Sequence, residues 1–402
     1  MSEKTKQFPI GASITIEQMD INPYPIFQQL MAHEPVSWVP AFNFWIVTRR
    51  ADVLRMLRDA KTYTMEPIDG QINPMEDTFG PMMLSLDGPK HKKIREVFVE
   101  PYRPRHCRNF YSDLIAQTAE QLISDIAQQE VVDLDKEFSD KLAVYVVVAT
   151  LGFPVDDLSQ FRTLYDDFGA AIGNVTFQPD IRERGQRAFQ VFNQLVLHEI
   201  EKLKARPNDS VLSQIVHDPN NQLTIDEIVS NVALTFFGGV ETTSAMLSNT
   251  LWALLKHPDQ LEQVKTKESL LAAAIEEALR WEAPVQSAMR FPTQDVVLHD
   301  VPIAKGEKIY CILSAANRDP AFFDDPDIFD VHRPNANKHL SFASGPHFCF
   351  GSPLARLEAQ IGLRLLFDKL PNMRLIPEKE TPPVGHEFRA TPTLYVRTNA
   401  CL

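Results

Sequence analysis

Cysteine is scarce in this chain, and its few copies are far apart. Four cysteines, Cys107, Cys311, Cys349 and Cys401, occur in 402 residues, and no two form a C-x-x-C pair. This spacing excludes a disulfide framework and a cysteine-based zinc site, and it is typical of a protein of the reducing cytoplasm. We interpret Cys107, Cys311 and Cys401 as ordinary buried thiols.

Long hydrophobic runs are also missing. The longest, LAVYVVVATL at 142–151, is well short of the ~20 residues that a membrane span needs. The N-terminal residues contain no apolar stretch of the kind found in a signal peptide. The sequence therefore predicts no membrane association and a cytoplasmic location, with 142–151 forming a buried helix.

The chain lacks an excess of positive charge, a repeat and a Gly/Ser linker. Its 40 Lys+Arg against 53 Asp+Glu give a net charge of −13, which argues against nucleic-acid binding. The hydrophobic share of 44% is ordinary for a globular protein. We expect residues 1–402 to form one unit with a large core.

The pattern of elements predicts a mainly α protein with small β-sheets. Residues 1–60 are β-rich, with two short strands in 36–48, and 90–282 form a helical body. Strand pieces and a cysteine loop fill 283–402. The clearest helix runs over 225–256, where Thr224 and Glu227 form a capping box and His257-Pro258 ends it. This helix is mostly apolar all round, so it should be buried.

The stretch HLSFASGPHFCFGSPLARLEAQIGLRLLF (339–367) carries the strongest chemical signal. Phe342, Gly345, Cys349 and Gly351 fit the pattern F-x-x-G-x-x-x-C-x-G. The two glycines would let the backbone fold tightly around a thiolate, which the N-terminus of the following helix would favour. Phe342 would keep water from the sulfur. The alternative is a free buried cysteine in a glycine-rich turn.

These residues resemble the cysteine motif of the cytochrome P450 superfamily, in its soluble bacterial branch. The resemblance implies a P450-like single-unit fold and a haem b cofactor. Haem would lie between the long distal helix and the cysteine loop, with Cys349 supplying the axial thiolate to iron. One departure is Ala343, where many relatives have Gly, and we expect no loss of function from it.

The middle of the long helix holds Gly238, Gly239, Glu241, Thr242 and Thr243. Two glycines inside a helix cost about 1 kcal/mol each relative to Ala, and an acid in an apolar stretch costs more unless it is paired. Close helix packing on the glycines is the alternative explanation. The segment also resembles the family motif [AG]-G-x-[DE]-T, which implies a dioxygen groove at the glycines and proton delivery by Glu241 and Thr242, with Thr243 secondary.

An E-x-x-R motif, Glu277 and Arg280, places two opposite charges on one helix face. A surface ion pair is the alternative. The resemblance implies a buried pair completed by Arg333, bracing the cysteine loop. It also implies that four cationic residues bind the haem propionates: His91, Arg95, Arg290 and His347.

No Lys or Arg occurs at 62–89, 163–181 or 225–255, the stretches expected around the substrate. A carboxylate substrate therefore lacks an anchor, and a small or medium neutral apolar compound is expected. Hydroxylation or O-dealkylation of an aromatic compound is the candidate reaction. Core packing is the alternative for any one of the candidate pocket residues, which are Met75, Phe79, Met82, Met83, Phe168, Ile172, Val175, Phe177, Leu234, Phe237, Val240, Val285 and Ala288.

The sequence has no G-x-G-x-x-G fingerprint and no iron–sulfur cysteine cluster, and little of it follows the cysteine helix. We therefore expect electrons from a separate ferredoxin, or from a flavin or iron–sulfur reductase. The docking contacts would be Lys92, Lys93, Arg103, Arg105 and Arg356. The rivals to a monooxygenase are a peroxide-driven enzyme or a haem sensor of the same fold, and a helical protein without haem; the Glu241–Thr242 pair argues against the first two.

Overall fold

A computed structural model describes residues 3–68, 70, 74–174 and 178–398 of the chain. Val175, Phe177 and Cys401 of the predictions above lie outside the described residues. The helices are α1 Glu3–Gln7, α2 Pro9–Ser13, α3 Ile16–Ile21, α4 Tyr24–His33, α5 Arg50–Arg58, α6 Pro74–Phe79, α7 Gly88–Val99, α8 Pro104–Phe110, α9 Ser112–Ile126, α10 Asp140–Leu151, α11 Ser159–Ile172, α12 Pro179–Ala205, α13 Val211–His217, α14 Ile225–Lys256, α15 Pro258–Thr266, α16 Glu268–Trp281, α17 Leu313–Ala316 and α18 Ser352–Lys369.

The strands are short and form three sheets. They are β1 Val36–Val39, β2 Phe44–Val47, β3 Tyr63–Thr64, β4 Val131–Asp133, β5 Ser287–Pro292, β6 Val296–Leu298, β7 Val301–Ile303, β8 Ile309–Ile312, β9 Arg374–Leu375 and β10 Tyr395–Arg397. The largest sheet has the order β1-β2-β8-β5-β3, and the others are β4-β10-β9 and β6-β7. Helices dominate, so the predicted mainly α class with small sheets is confirmed. The prediction of a β-rich part over residues 1–60 is wrong, because α1 to α5 fill most of it and, among its described residues, only β1 and β2 are strands.

Helix α14 has the predicted bounds, and its start shows why. The Thr224 hydroxyl accepts from the Glu227 N–H at 3.1 Å, and the Glu227 carboxylate accepts from the Thr224 N–H at 2.8 Å. This reciprocal pair satisfies two N–H groups that a helix start leaves free. Most of α14 is buried, so the helix runs through the largest core cluster rather than over the surface.

The apolar run 142–151 forms most of α10, which is buried as predicted. It packs against α14, and α18 packs against α9. The helical stretch before α10 is divided, because α8 ends at Phe110 and α9 begins at Ser112. Within the ranges that the structure describes, no helix is long and apolar enough to cross a membrane.

The main sheet joins distant parts of the chain. Strand β2 pairs with β8 in parallel, with Trp45 opposite Ile309. Strand β5 pairs with β8 in antiparallel register, with Ala288 opposite Cys311. The pairing brings the N-terminal strands beside the segment that follows α16, and it fixes the direction of the β5 side chains.

Candidate functional site

The cysteine loop connects a short 3-10 turn, Gly345–His347, to helix α18. Cys349 donates its N–H to the carbonyl of Phe342 at 2.9 Å, which closes the loop. A Cβ at Gly345 would lie 2.5 Å from the Leu57 carbonyl oxygen, and Gly345 has a φ of +74°. Only glycine fits both conditions, so Gly345 lets the loop approach the end of α5.

The thiol of Cys349 experiences opposing influences. Desolvation raises the pKa of this thiol overall, although the N–H groups of Gly351 and Ser352, and then the charges of Arg95 and Arg356, act to lower it. Cys349 is exposed, while Cys107 and Cys311 are buried as predicted. The loop therefore aims two N–H groups at one accessible sulfur, and they come from Gly351 and Ser352 rather than from Gly345.

Ala343, the departure from the common motif, has a φ of 57°. This is the left-handed region, which costs an L-residue about 1 kcal/mol or more and costs glycine nothing. The backbone thus supplies a physical reason for glycine at this position. Ala343 stays in the turn because its N–H donates to the Leu340 carbonyl at 2.7 Å.

Phe342 is half-buried and lies under a cation. The Arg356 guanidinium lies 4.5 Å from the Phe342 ring centroid and donates to both Glu276 oxygens at 2.6 and 2.9 Å. Burial would raise the pKa of Glu276, but hydrogen bonds from Arg356 and His339 outweigh it and lower that pKa to about 2. Glu276, which the sequence motifs did not indicate, therefore ties α16 to the cysteine loop.

Three of the four candidate propionate ligands, His91, Arg290 and His347, lie around one carboxylate that sequence reasoning missed. Asp87 accepts from the Thr64 hydroxyl at 2.6 Å, from the Met65 N–H at 2.7 Å and from His347 Nε2 at 2.8 Å. The His91 ring centroid lies 4.4 Å from that of His347. The Asp87 charge also raises the pKa values of His91 and Arg290, although burial lowers both overall.

Two buried side-chain nitrogens in this cluster have no hydrogen-bond partner among the residues that the structure describes. Nε2 of His91 and Nη2 of Arg290 are buried without a hydrogen bond, and burial, followed by His347 and Arg95, lowers the pKa of His91 to about 4. Arg95 donates to the Phe348 carbonyl at 2.6 Å, beside Cys349. Unpaired buried donors are rare, and an anionic group between them would satisfy both, so the cluster fits the carboxylates of haem.

The two glycines of α14 have different surroundings. A Cβ on Gly238 would meet nothing within 4 Å, and Gly238 is exposed in the middle of the helix. A Cβ on Gly239 would lie 2.7 Å from Cγ2 of Val147 on α10. Gly238 therefore faces open space, whereas the structure places Gly239 at a helix contact and not on that open side.

Thr242 and Glu241 lie beside this opening and differ in their partners. The Thr242 hydroxyl donates to the Gly238 carbonyl at 2.6 Å. Burial and then the Asp140 charge raise the pKa of Glu241, while Arg162 lowers it. Arg162 in turn pairs with Asp140. The acid is thus held near charged groups of α10 and α11, and the alcohol is held at the glycine turn.

Glu277, Arg280 and Arg333 form a buried network, as the sequence predicts. Arg280 donates to both Glu277 oxygens at 2.7 and 2.8 Å, and both residues are fully buried. Arg333 donates to the same carboxylate at 3.0 Å. Ser341 at the base of the cysteine loop donates to the Leu279 carbonyl at 2.6 Å. The network therefore fixes the segment from which the cysteine loop extends.

The predicted pocket residues divide into two described groups. Fully buried members are Phe79, Met82, Met83, Phe168, Phe237 and Val240. Partly buried members are Met75, Ile172, Leu234, Val285 and Ala288. Phe237, which precedes Gly238, also contacts Tyr165 at 5.7 Å and Phe388 at 6.0 Å between ring centroids, two aromatic residues that the pocket prediction did not include.

The predicted docking cations are mostly paired with acids. Lys93 donates to Glu227 at 2.9 and 3.1 Å, Lys92 lies 3.6 Å from Glu96, and Arg103 pairs with Glu100. Arg356 pairs with Glu276, as described above. A groove of about 660 Å³ between α7 and the cysteine loop contains Lys92, Arg95 and Arg103 together with Asp87 and Glu96. The expected basic island is therefore largely neutralised.

The exposed Cys349, the buried unpaired nitrogens of His91 and Arg290, and the opening at Gly238 are features that suit a haem-thiolate protein. The family model of cytochrome P450 matches residues 42–392, and the chain belongs to this family. P450 proteins bind haem through an axial cysteine thiolate and are monooxygenases, so the predicted cofactor and enzyme class are confirmed.

Curated relatives and solved structures agree with this assignment. The biotin biosynthesis cytochrome P450 of Bacillus subtilis is 30% identical, with 91% of this chain and 93% of the relative covered. The polyketide biosynthesis cytochrome P450 PksS of the same organism is 30% identical over 88% and 90%. The structure of CYP109E1 from Bacillus megaterium in complex with testosterone has a TM-score of 0.86 and 28% identity, over 96% and 100% of the two chains.

Proposed function

We propose that Cys349 is the axial ligand of the haem iron in this monooxygenase. The carrying observation is the loop itself, in which Gly351 and Ser352 direct their N–H groups at one accessible sulfur. Such donors stabilise a thiolate and tune the bond that it makes. Haem supplies the electron-transfer and oxygen-activating chemistry when bound, and the loop supplies its fixed anchor.

The ferrous–carbonyl spectrum tests this assignment directly. We expect the wild-type protein to absorb at the long wavelength of thiolate ligation, and Cys349→His to lose that band. Cys107→Ala is the matched control, because Cys107 is a buried thiol elsewhere in the chain. An imidazole-type spectrum from the wild-type protein would refute the assignment.

We further propose that His91, Arg95, Arg290 and His347 bind the propionates. The unpaired Nε2 of His91 and Nη2 of Arg290 support this role. Asp87 would hold the His347 ring through its 2.8 Å contact, which leaves the other ring nitrogen to face an anion. Phe342, Gly345 and Gly351 would shape the thiolate side of the same site, and Gly238 and Gly239 the oxygen side, with Gly239 acting through its packing on Val147.

Glu241 and Thr242 are proposed to deliver the protons that dioxygen activation consumes. Thr242 holds a hydroxyl at the glycine opening, where a transferable proton is needed. Burial raises the pKa of Glu241, which makes this carboxyl a better proton carrier than an ordinary exposed glutamate. Arg162 and Asp140 then connect Glu241 to the half-exposed surface of α11.

The substrate class follows from the side chains near Gly238. Phe237 and Phe388 are apolar, and 225–255 contain no cation, so an apolar body without a carboxylate is proposed. The compound would be small or medium in size, with hydroxylation or O-dealkylation as the reaction. A screen of aromatic and terpenoid compounds for a haem spin-state shift tests this, and binding confined to fatty acids would contradict it.

Enzymes of this family generally need a redox partner. We propose a separate ferredoxin or flavin-type donor that docks on the cysteine side, which offers the shortest path to iron. We also propose that residues 1–402 act as a single catalytic unit in the cytoplasm. Turnover by the purified chain with NADH or NADPH alone would refute the separate donor.

A further inference from the structure

The turn over residues 384–391 places one aromatic ring beside the opening in α14. The Phe388 ring lies 6.0 Å from the Phe237 ring between centroids, and Phe237 precedes Gly238, where an added Cβ would meet nothing within 4 Å. Phe388 also bridges to Val285, one of the predicted pocket residues, and is half-buried. A shift of this ring would therefore change the space available beside Gly238.

Main-chain hydrogen bonds tie the turn to the segment that follows α16. Gln286 donates its N–H to the Glu387 carbonyl at 2.9 Å, and Arg389 donates its N–H to the Pro284 carbonyl at 2.8 Å. These two bonds flank the aromatic ring and fix it relative to residues 284–286. They do not involve α14, so the spacing between the turn and that helix depends on other contacts.

One buried amide on α14 supplies such a contact. Asn249 is buried, and its Nδ2 donates to the Arg389 carbonyl at 3.0 Å and to the Glu282 carbonyl at 3.3 Å. Its Oδ1 accepts from the N–H and the hydroxyl of Thr391 at 3.0 and 3.1 Å. All four hydrogen-bonding positions of the amide are thus used. The side chain joins α14 both to the end of α16 and to the turn.

A buried ion pair holds the same turn through a side chain. The Glu282 carboxylate accepts from Nε of Arg389 at 2.9 Å and from Arg318 at 3.0 Å. Charge-assisted contacts of this kind are short and directional. The main chain of Arg389 is held by Asn249 and its side chain by Glu282, so the residue next to Phe388 is fixed to α14 and α16 together.

We propose that Asn249 is a positioning residue that determines where the Phe388 ring lies on the substrate side of the haem site. Asn249 comes 11 residues after Gly238, roughly 16 Å along α14 at 1.5 Å per residue, so it acts on a bound compound only through that ring. This inference deepens the proposed function and rests on it. The alternative role is a brace that stabilises the protein without affecting Phe388.

The relative affinity for two haem ligands tests the proposal. Imidazole and 4-phenylimidazole both bind iron through a ring nitrogen, and the Soret shift of the holoenzyme gives each Kd. Only the second carries a phenyl ring that would lie against Phe388. We call the Kd of imidazole divided by that of 4-phenylimidazole the aryl preference. Asn249→Leu should lower the aryl preference about threefold to tenfold, the range of one aromatic contact, and leave the affinity for imidazole unchanged.

A double-mutant cycle separates positioning from a general loss of stability. Phe388→Ala should lower the aryl preference, and adding Asn249→Leu should lower it no further, because the ring through which Asn249 acts is gone. Gln260→Leu is the matched control, since the Gln260 amide also holds a loop by two main-chain contacts, with Phe329 and Val331. Its aryl preference should equal that of the wild type. Additive effects in the cycle, an unchanged preference in Asn249→Leu or an equal loss in Gln260→Leu would overturn the proposal.

A milder variant covers the case in which Asn249→Leu does not fold. Thr391→Val removes only the hydroxyl contact with Asn249 and should lower the aryl preference by a smaller factor. Hydrogen exchange of the peptide 384–391 in the holoenzyme needs no ligand and should be faster than in the wild type. Unchanged exchange and preference in Thr391→Val would contradict the proposal. Failure of the haem assignment would be seen separately, since the wild-type protein would then show no Soret shift with imidazole.

Discussion

The hydroxyl of Thr242 donates to the carbonyl oxygen of Gly238 at 2.6 Å, one turn earlier in the same helix. When a helix carbonyl accepts a hydrogen bond from a side chain, its hydrogen bond to the backbone N–H one turn later is weakened. Such contacts often bend helices. The bond also keeps the Thr242 oxygen beside Gly238, where an added Cβ would meet nothing within 4 Å.

This contact predicts the effect of losing the hydroxyl. Thr242→Ala should keep consuming NAD(P)H in a system reconstituted with donor proteins, while product formed per NAD(P)H falls about tenfold or more. The missing product should appear as hydrogen peroxide, and added peroxide should restore part of it. Thr250→Ala is the matched control, since the Thr250 hydroxyl also donates to a carbonyl one turn earlier in α14, that of Met246 at 2.6 Å. Coupling as tight in Thr242→Ala as in the wild type would assign Thr242 to packing, and a haem sensor would show no coupled turnover in any form.

The different surroundings of Gly238 and Gly239 predict that replacement by alanine changes stability in opposite directions at the two positions. Gly238→Ala should stabilise the protein by about 1 kcal/mol, because it improves helix propensity without a clash, yet it should lower turnover by narrowing the opening. Gly239→Ala should destabilise by roughly 1–3 kcal/mol through overpacking on Val147. Urea unfolding of both variants, with Val147→Ala added to rescue Gly239→Ala, checks the pair. Equal stabilities of the two variants would contradict the placement of Gly238 at open space and of Gly239 against Val147.

The buried Glu277 carboxylate predicts a large loss of stability when its partner Arg280 is removed. Arg280→Ala leaves that buried carboxylate with Arg333 as its remaining charged partner and should cost about 3–5 kcal/mol, with haem loss or failure to fold. Arg397→Ala removes an arginine from an exposed pair with Glu130 and should cost less than about 1 kcal/mol. Haem content and thermal unfolding are the measurements. A stable, haem-loaded Arg280→Ala enzyme would show that the network is dispensable.

Glu276 predicts a pH dependence of stability. Its pKa of about 2 in the folded protein lies below the unfolded value, so its contribution is complete above the unfolded pKa and disappears as the pH falls towards 2. Glu276→Gln should therefore lower the free energy of unfolding by about 2 kcal/mol at pH 7 and have little effect near pH 2. Glu262→Gln, in an exposed pair with Lys265, is the control. A difference that does not change with pH would reject the ion pair as its source.

The paired cations around the cysteine loop predict a shallow salt dependence for the electron donor. Activity should fall with salt by roughly twofold to threefold rather than by orders of magnitude, because most local positive charge is cancelled. Arg105 is exposed, so Arg105→Glu should raise the KM for the donor, whereas Lys6→Glu on α1 should not. A steep loss of activity with salt would contradict this prediction and would support the purely electrostatic docking surface expected from the sequence.

Local sequence patterns predicted the elements well where the signal lies within one turn or one motif. The capping box at Thr224 fixed one end of α14, and the spacing around Cys349 predicted the loop before α18. The roles of the site residues stay predictions, because geometry alone does not test them. Their placement nevertheless follows the motifs, with Glu277 and Arg280 as a clear case.

Features that depend on distant neighbours were not predictable from one sequence. The motif gives no reason to expect different roles for Gly238 and Gly239, and the difference appears only when Val147 packs against Gly239. Asp87 and Glu276 look like ordinary surface acids until the chain brings His347 and Arg356 to them. The acidic partners of Lys93 and Arg356 are far away in sequence, so counting cations overstated the basic island.

The parallel pairing of β2 with β8 has a consequence for synthesis on the ribosome. Trp45 cannot meet Ile309 until the intervening chain has been made, which at 5–20 residues per second takes roughly 10–50 s. During that interval the β1–β2 hairpin has an unpaired edge and exposes Phe44 and Trp45, the kind of segment that promotes aggregation. The yield of this enzyme in a host cell should therefore depend on elongation rate and on chaperones that hold the nascent N-terminal segment.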